Sequence, residues 1–331
     1  MNVGITLSVS LTLSWALVFL VRRYALERDI VDYPNARSSH TKPTPRAGGV
    51  GFVAAVLLTF AIAEGSRLID WRIATALLGV GVTACVGWLD DRHTLGVRPR
   101  LAAHLVAAAA LLPLALSPAP VPAFLGAAAV LWWILWGTTS INVVNFMDGI
   151  DGLVAAQILV FGAHLVLLAA PNGDASYMGA ALAGASLAFI WWNWQPAKIF
   201  MGDVGSGALG LTMALGGLLL IREGSVGLVR AYLPLYPLFL DATVTLLRRA
   251  ARGERITQPH RSHLYQRLAN GNMGHARVSL LYATAALVGL AVAQISAEPG
   301  TTIAMILYFL AVPAAALRLA RTIPIDAEAV P

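Results

Sequence analysis

The chain has little charge: Asp, Glu, Lys and Arg make up 12% of its 331 residues, about half the share of an ordinary soluble domain. That shortage excludes a water-exposed globule. With 58% apolar residues and a mean hydropathy of +0.71, there is too little polar surface to cover one. It has one cysteine, Cys85, inside an apolar run, so no internal disulfide can form and the redox compartment leaves no mark. No basic stretch precedes the first apolar run, Met1 to Leu20. Arg22 and Arg23 follow it, the pattern of a retained helix and not of a cleaved signal peptide. No polar stretch is long enough for a separate soluble unit, so residues 1–331 read as one integral membrane domain.

What the chain has is apolar runs. A crossing helix needs roughly 17–25 residues, and candidate segments fall at 3–21, 48–64, 73–89, 101–117, 122–143, 152–170, 176–194, 205–221, 229–247, 278–294 and 301–317. The expected fold is an all-α, polytopic bundle of about 11 transmembrane helices. Pro113, Pro234 and Pro237 should kink their segments. Pro118 to Pro122 and Pro171-Asn172-Gly173-Asp174 read as tight connections. With eleven crossings, the loops at about 22–47, 90–100, 144–151, 195–204 and 248–277 share one face. That face and the tail collect nineteen of the 23 Lys and Arg residues, against Arg67, Arg72, Arg222 and Arg230 opposite. The positive-inside rule makes it cytoplasmic, with the N-terminus periplasmic and the C-terminus cytoplasmic. The net charge of +6 suits anionic headgroups or phosphate-bearing substrates, not nucleic acid.

On that face, five of the 17 acidic residues gather in three motifs at the ends of apolar runs. Carboxylates at a membrane boundary are costly unless they bind a cation or do chemistry. Asp90-Asp91 wants a divalent cation, a shared proton or a basic partner; the plainer alternative is a helix stop pairing with Arg92 and Arg98. Asp148 and Asp151, in Asn142-Val143-Val144-Asn145-Phe146-Met147-Asp148-Gly149-Ile150-Asp151-Gly152-Leu153, would share a helix face if helical, or one of them caps the next helix. Asp203, in Phe200-Met201-Gly202-Asp203-Val204-Gly205-Ser206-Gly207, is either an oxygen ligand for Mg²⁺ beside a diphosphate or an N-cap. In the loop Gln258 to Arg267, His260, Arg261 and His263 can neutralise phosphate oxygens, or the loop is a lipid-headgroup face. Residues 32–49 form either an ordered strap or a flexible basic linker, and Asp241 should face the interior and pair with a basic group.

Taken in order, Pro43-Thr44-Pro45-Arg46-Ala47-Gly48-Gly49, the Asp-Asp pair, the Asn145 to Leu153 string, Phe200 to Ser206 and the final His-containing loop resemble the polyprenyl-phosphate N-acetylhexosaminyl-1-phosphate transferases. This is the family of the undecaprenyl-phosphate GlcNAc-1-phosphate transferase and phospho-MurNAc-pentapeptide translocase. The resemblance covers about Asp32 to Arg277. It implies transfer of a sugar 1-phosphate from a UDP-amino sugar to undecaprenyl phosphate in the bacterial inner membrane, with release of UMP. It implies Mg²⁺ on Asp203, with Mn²⁺ as a substitute, and Phe200 stacked on uracil. Asp90 and Asp91 would lie near the acceptor phosphate, and Asn145, Asp148 and Asp151 would shape the nucleotide-sugar site. His260, Arg261 and His263 would touch the diphosphate or sugar. The catalytic candidates are thus Asp90, Asp91, Asp148 and Asp151; the substrate-binding candidates are Lys42, Asn142, Asn145, Phe200, His260, Arg261 and His263. A single His followed by Leu264, Tyr265 and Gln266, where the GlcNAc transferases tend to carry a His cluster, resembles the branch initiating O-antigen and related polysaccharides, some with 6-deoxy-HexNAc donors such as QuiNAc or FucNAc. Homodimerisation is left open. The rival class, a transporter or lipid flippase, would carry its acids near the bilayer midplane.

Overall fold

The computed structural model describes residues 1–34, 42–65, 69–117, 123–224, 226–255, 257–258, 260–295 and 300–321. Its helices are α1 (Val3–Glu27), α2 (Gly48–Glu64), α3 (Trp71–His93), α4 (Val97–Ala109), α5 (Leu112–Ala115), α6 (Ala123–Met147), α7 (Leu153–Leu168), α8 (Asp174–Asn193), α9 (Asp203–Arg222), α10 (Leu228–Tyr232), α11 (Tyr236–Ala251), α12 (Leu264–Leu268), α13 (Gly274–Gln294) and α14 (Gly300–Arg321). The only sheet among the described residues pairs β1 (Val31–Asp32) with β2 (Thr44–Pro45) antiparallel, Val31 opposite Pro45 and Asp32 opposite Thr44.

Helix dominates because a lipid-embedded backbone must satisfy its own N–H and C=O groups. Short polar side chains do the same: Thr75, Thr83 and Thr212 donate to the carbonyls four residues back at 2.8–3.0 Å. Among the described residues, eight helical stretches are long and apolar enough to cross a membrane: α1, α3, α4 with α5, α6, α8, α9, α13 and α14. Apolar but shorter are α2 and α7, at 17 and 16 residues. The expected segment 229–247 is broken into α10, a 3₁₀ turn at Leu233–Leu235 and α11. Pro234 and Pro237 lie at these junctions, where the missing proline N–H costs least. Pro113 likewise sits in the first turn of α5, after α4 has ended. The connection expected at Pro118 to Pro122, and residues Arg37 and Arg67, lie outside the described residues.

The bundle is built around α9, whose apolar window is 94% buried, whereas that of α14 is only 6% buried. Small residues let backbones meet there. A Cβ on Gly49 of α2 would fall on the Gly205 backbone of α9, and one on Gly87 of α3 would fall on the Asp203 backbone. Hydroxyls tie α1 to α8: Ser10 donates to the Ala181 carbonyl at 2.6 Å and Ser14 to that of Ala185 at 3.1 Å.

The three acidic motifs meet at one end of the bundle. At the other end, the described arginines are held by protein groups. Arg72 pairs with Asp70 at 3.4 Å, Arg222 donates to the Leu114 carbonyl at 2.7 Å, and Arg230 donates to that of Ala293 at 2.5 Å.

Candidate active site

Asp90 and Asp91 belong to the last turn of α3, and only Thr94 to Gly96 separate α3 from α4. This tight reversal returns Arg100, one turn into α4, to Asp90. Arg100 Nη1 donates to Asp90 Oδ2, and the Leu95 N–H donates to Asp90 Oδ1 at 2.5 Å. Arg46 Nη2 lies 2.9 Å from Asp91 Oδ1. The acidic pair is therefore matched with Arg100 and Arg46, not with Arg92 and Arg98; Arg92 stacks over Trp88, 4.3 Å from the ring centre.

The two neighbours do different work. Asp91 accepts the Asp203 N–H at 3.1 Å and the Val204 N–H at 3.2 Å, so it caps α9 from outside. Gly202, the residue before α9, has φ +76° and no side-chain cap; a Cβ there would press on the Asp91 carboxylate. The cap that Asp203 might have supplied comes from Asp91, which leaves the Asp203 carboxyl to face outward. Asp203 Oδ1 accepts Asn145 Nδ2 at 3.0 Å, and Oδ2 lies 3.7 Å from Arg100 Nη1. The Asp90 and Asp203 carboxyl groups thus face the same Arg100 Nη1. With Thr83, Val86, Gly87, Arg100, His104, Asn145 and Gly207 they line a small pocket.

Two carboxyl groups that close keep full charge only with a cation between them; otherwise they share a proton. Among the described residues no three His, Cys, Asp or Glu side chains form a metal cage. Magnesium does not need one. It binds through one or two carboxylates and completes its shell with water and substrate phosphates, so the Asp90–Asp203 pair with Asn145 fits it.

Asn142 and Asn145 lie within α6, which runs on to Met147. Asn145 also reaches Ser206 Oγ at 3.1 Å, while Asn142 donates to the Thr138 carbonyl at 2.7 Å. Asp148 sits in the turn beyond α6, where burial first, then repulsion from Asp203 and Asp91, holds its carboxyl well above the usual carboxylate range. Asp151 is tied down elsewhere. Its Oδ2 accepts the Ala197 N–H at 3.1 Å, its Oδ1 lies 3.4 Å from His275 Nδ1, and its carbonyl accepts the Ser279 hydroxyl at 2.8 Å. Neither acid caps α7, whose preceding residue is Gly152 at φ +78°.

The final basic loop packs against this turn. His263 is buried, 3.5 Å from Asp241 Oδ1, with its ring 6.2 Å from that of Phe146. Asp241 thus has the interior position and basic partner expected of it. His260, 4.9 Å from the His263 ring, is pushed down to about 4 by burial and by repulsion from His263 and Arg249, so it is neutral near pH 7. Arg261 lies between them in sequence, half-buried. Of the strap at residues 32–49, the ordered reading holds for the paired ends, and exposed Lys42 stands just before β2. Phe200 is threaded between strap and α2: its N–H donates to the Pro45 carbonyl at 2.8 Å, and its carbonyl accepts the Gly48 N–H at 2.9 Å.

Residues 73–221, from α3 to the end of α9, match the glycosyl transferase family 4 profile. Over 280 residues the chain is 30% identical to the probable undecaprenyl-phosphate N-acetylglucosaminyl 1-phosphate transferase of Bacillus subtilis, covering 79% of this chain and 75% of that protein. The chain belongs to glycosyl transferase family 4. It is also 29% identical over 299 residues to the decaprenyl-phosphate N-acetylglucosaminephosphotransferase of Mycobacterium tuberculosis, covering 79% and 74%. To the phospho-N-acetylmuramoyl-pentapeptide-transferase of Symbiobacterium thermophilum it is 34% identical over 238 residues, covering 64% and 71%.

Several residues of this family 4 site were not singled out in the sequence. Arg100 appeared only in the basic count, Arg46, Ser206 and Tyr265 only inside the strings that carry the resemblance, and His104 and His275 not at all. Arg100 had a signal, a base one helical turn past the reversal that follows Asp90. The others reach the site through tertiary packing, which leaves no local pattern.

Proposed function

We propose that the protein transfers an N-acetylhexosamine 1-phosphate from a UDP-sugar to undecaprenyl phosphate, giving the diphosphate-linked lipid and UMP at the cytoplasmic face of the bacterial inner membrane. The observation that carries this reading is the facing Asp90 and Asp203 carboxyls beneath Arg100, in a family 4 chain whose relatives are named for such transfers. UDP-GlcNAc is the first donor to test. The single-His loop makes 6-deoxy donors the second, with O-antigen or a related polysaccharide as the pathway.

Asp203 would hold Mg²⁺, with Asp90 facing it and Asn145 fixing the Asp203 rotamer. When bound, the ion supplies charge neutralisation at the phosphate oxygens. The acceptor phosphate has a second pKa of about 6, so it is mostly dianionic near neutrality. The main obstacle is anion meeting anion, and Arg100 and Arg46 lower it. Asp90, oriented by Arg100 and the Leu95 N–H, takes the residual acceptor proton. An acceptor oxygen bonds to the phosphorus carrying the sugar, the bond from that phosphorus to the bridging oxygen breaks, and UMP leaves. Asp91 acts by setting the position of Asp203. In this reading Phe200 would stack on uracil, Asn145 and Asp148 would shape the nucleotide-sugar site, with Asp151 holding their turn through Ala197 and His275, Lys42 and Asn142 would contact substrate, and His260, Arg261 and His263 would meet the diphosphate or sugar.

UMP release from UDP-GlcNAc and undecaprenyl phosphate in detergent tests the reading. EDTA should reduce it to background and added Mg²⁺ restore it. No metal-dependent UMP from any UDP-HexNAc would favour the transporter class instead. Asp90→Asn should lower kcat chiefly below pH 6, by about tenfold at pH 5, where most of the acceptor still carries the proton that Asp90 takes; a loss of the same size at pH 5 and pH 8 would remove Asp90 from the proton-acceptor role.

A further inference from the structure

Behind the Asp148 turn lies a buried polar network of which the proposed reaction uses only His263. Its centre is Asp241 on α11, which caps α12 as Asp91 caps α9: Oδ1 accepts the Leu264 N–H at 2.9 Å and Oδ2 the Tyr265 N–H at 3.0 Å. Thr245 Oγ1 at 3.1 Å, the Tyr282 hydroxyl at 2.5 Å and His263 at 3.5 Å complete the shell. A buried carboxylate with that many donors fixes its surroundings, because every alternative arrangement leaves a charge or an N–H unpaired.

The network fixes Tyr265, which has 0% exposure. Its hydroxyl donates to the Phe146 carbonyl at 2.8 Å, and the same oxygen packs against Gly149. One phenol oxygen therefore touches both sides of the turn that carries Asp148, by a hydrogen bond at Phe146 and by packing at Gly149. A Cβ on Gly149 would collide with that oxygen, so the glycine permits the approach.

We infer that Tyr265 is a positioning residue: its backbone N–H is held by Asp241, and its hydroxyl sets the backbone from Phe146 to Gly149 and so aims Asp148, joining the basic loop and the acidic turn into one rigid unit. The role of Asp148 rests on the transferase reading; the bridge does not.

Tyr265 and Tyr282 each give one hydroxyl to this region, but only the Tyr265 hydroxyl touches the turn. Tyr265→Phe and Tyr282→Phe in the full-length protein are thus matched deletions. Hydrogen exchange over residues 146–152 should accelerate at least about tenfold in Tyr265→Phe, the loss of one buried hydrogen bond, and stay unchanged in Tyr282→Phe, with comparable drops in Tm. Gly149→Ala, which strikes the bridge from the other side, should accelerate the same amides. Equal exchange in the two phenylalanine variants would overturn the inference. In UMP release, Tyr265→Phe should lose kcat about tenfold with little change in donor KM, and Tyr282→Phe should stay within about twofold; equal losses would also overturn it. A wild-type protein that releases no UMP sinks the transferase reading alone, since the exchange comparison still decides the bridge.

Discussion

Asp203→Asn will lower kcat for UMP release by about a hundred- to a thousandfold and leave the melting temperature unchanged or raised. The two halves of that result have one cause. Asp203 contributes little to holding α9, because the cap on its first N–H groups comes from Asp91. Its carboxyl instead faces that of Asp90 in a shared pocket. Two close carboxyls repel, so removing one charge relieves the resting fold, while removing the oxygen that would hold the cation strips the reaction of its charge neutralisation. The amide keeps size and shape and can still meet Asn145, so packing does not explain the loss. A Tm that falls with the activity would mean Asp203 is a structural residue.

Asp91→Ala is expected to do both kinds of damage. It removes the acceptor for the Asp203 and Val204 N–H groups and the partner of Arg46, which stands 2.9 Å away. Losing a cap and stranding buried donors costs about 2 kcal/mol or more, and the start of α9 shifts with it. Because Asp203 is the first residue of that helix, kcat should fall about ten- to a hundredfold through misplacement. Asp91→Asn, which can still accept one of the two N–H groups, should lie between wild type and alanine in both Tm and kcat. If Asp91→Ala instead kept its Tm and lost activity as Asp203→Asn does, Asp91 would belong among the reacting groups.

The sequence was most legible where solvent dictates pattern. Apolar runs announce helices because lipid tolerates little else, and Pro234 and Pro237 mark where segment 229–247 breaks. The gathering of the acids was legible too, since odd-numbered loops of a serpentine bundle must share a face. Their division of labour was not. Asp90 and Asp91 are identical residues side by side, and only the angle at which α9 meets α3, set by Gly87 and Gly202, gives one a pocket and the other a cap. Asp148 and Asp151 are separated by packing in the same way: one faces the acidic cluster, the other is consumed by Ala197 and His275. Tyr265 reads as an ordinary aromatic until α12 presses its hydroxyl on a turn more than a hundred residues earlier.

The most direct measurement is the fate of the phosphorus nearest the sugar. With UDP-GlcNAc, or the UDP-HexNAc that supports most UMP release, labelled with ³²P at that atom, purified protein and undecaprenyl phosphate should move the label into the lipid and release unlabelled UMP. Label that stays in the nucleotide, released as UDP, would mean that the sugar is transferred without its phosphate, and would contradict the account.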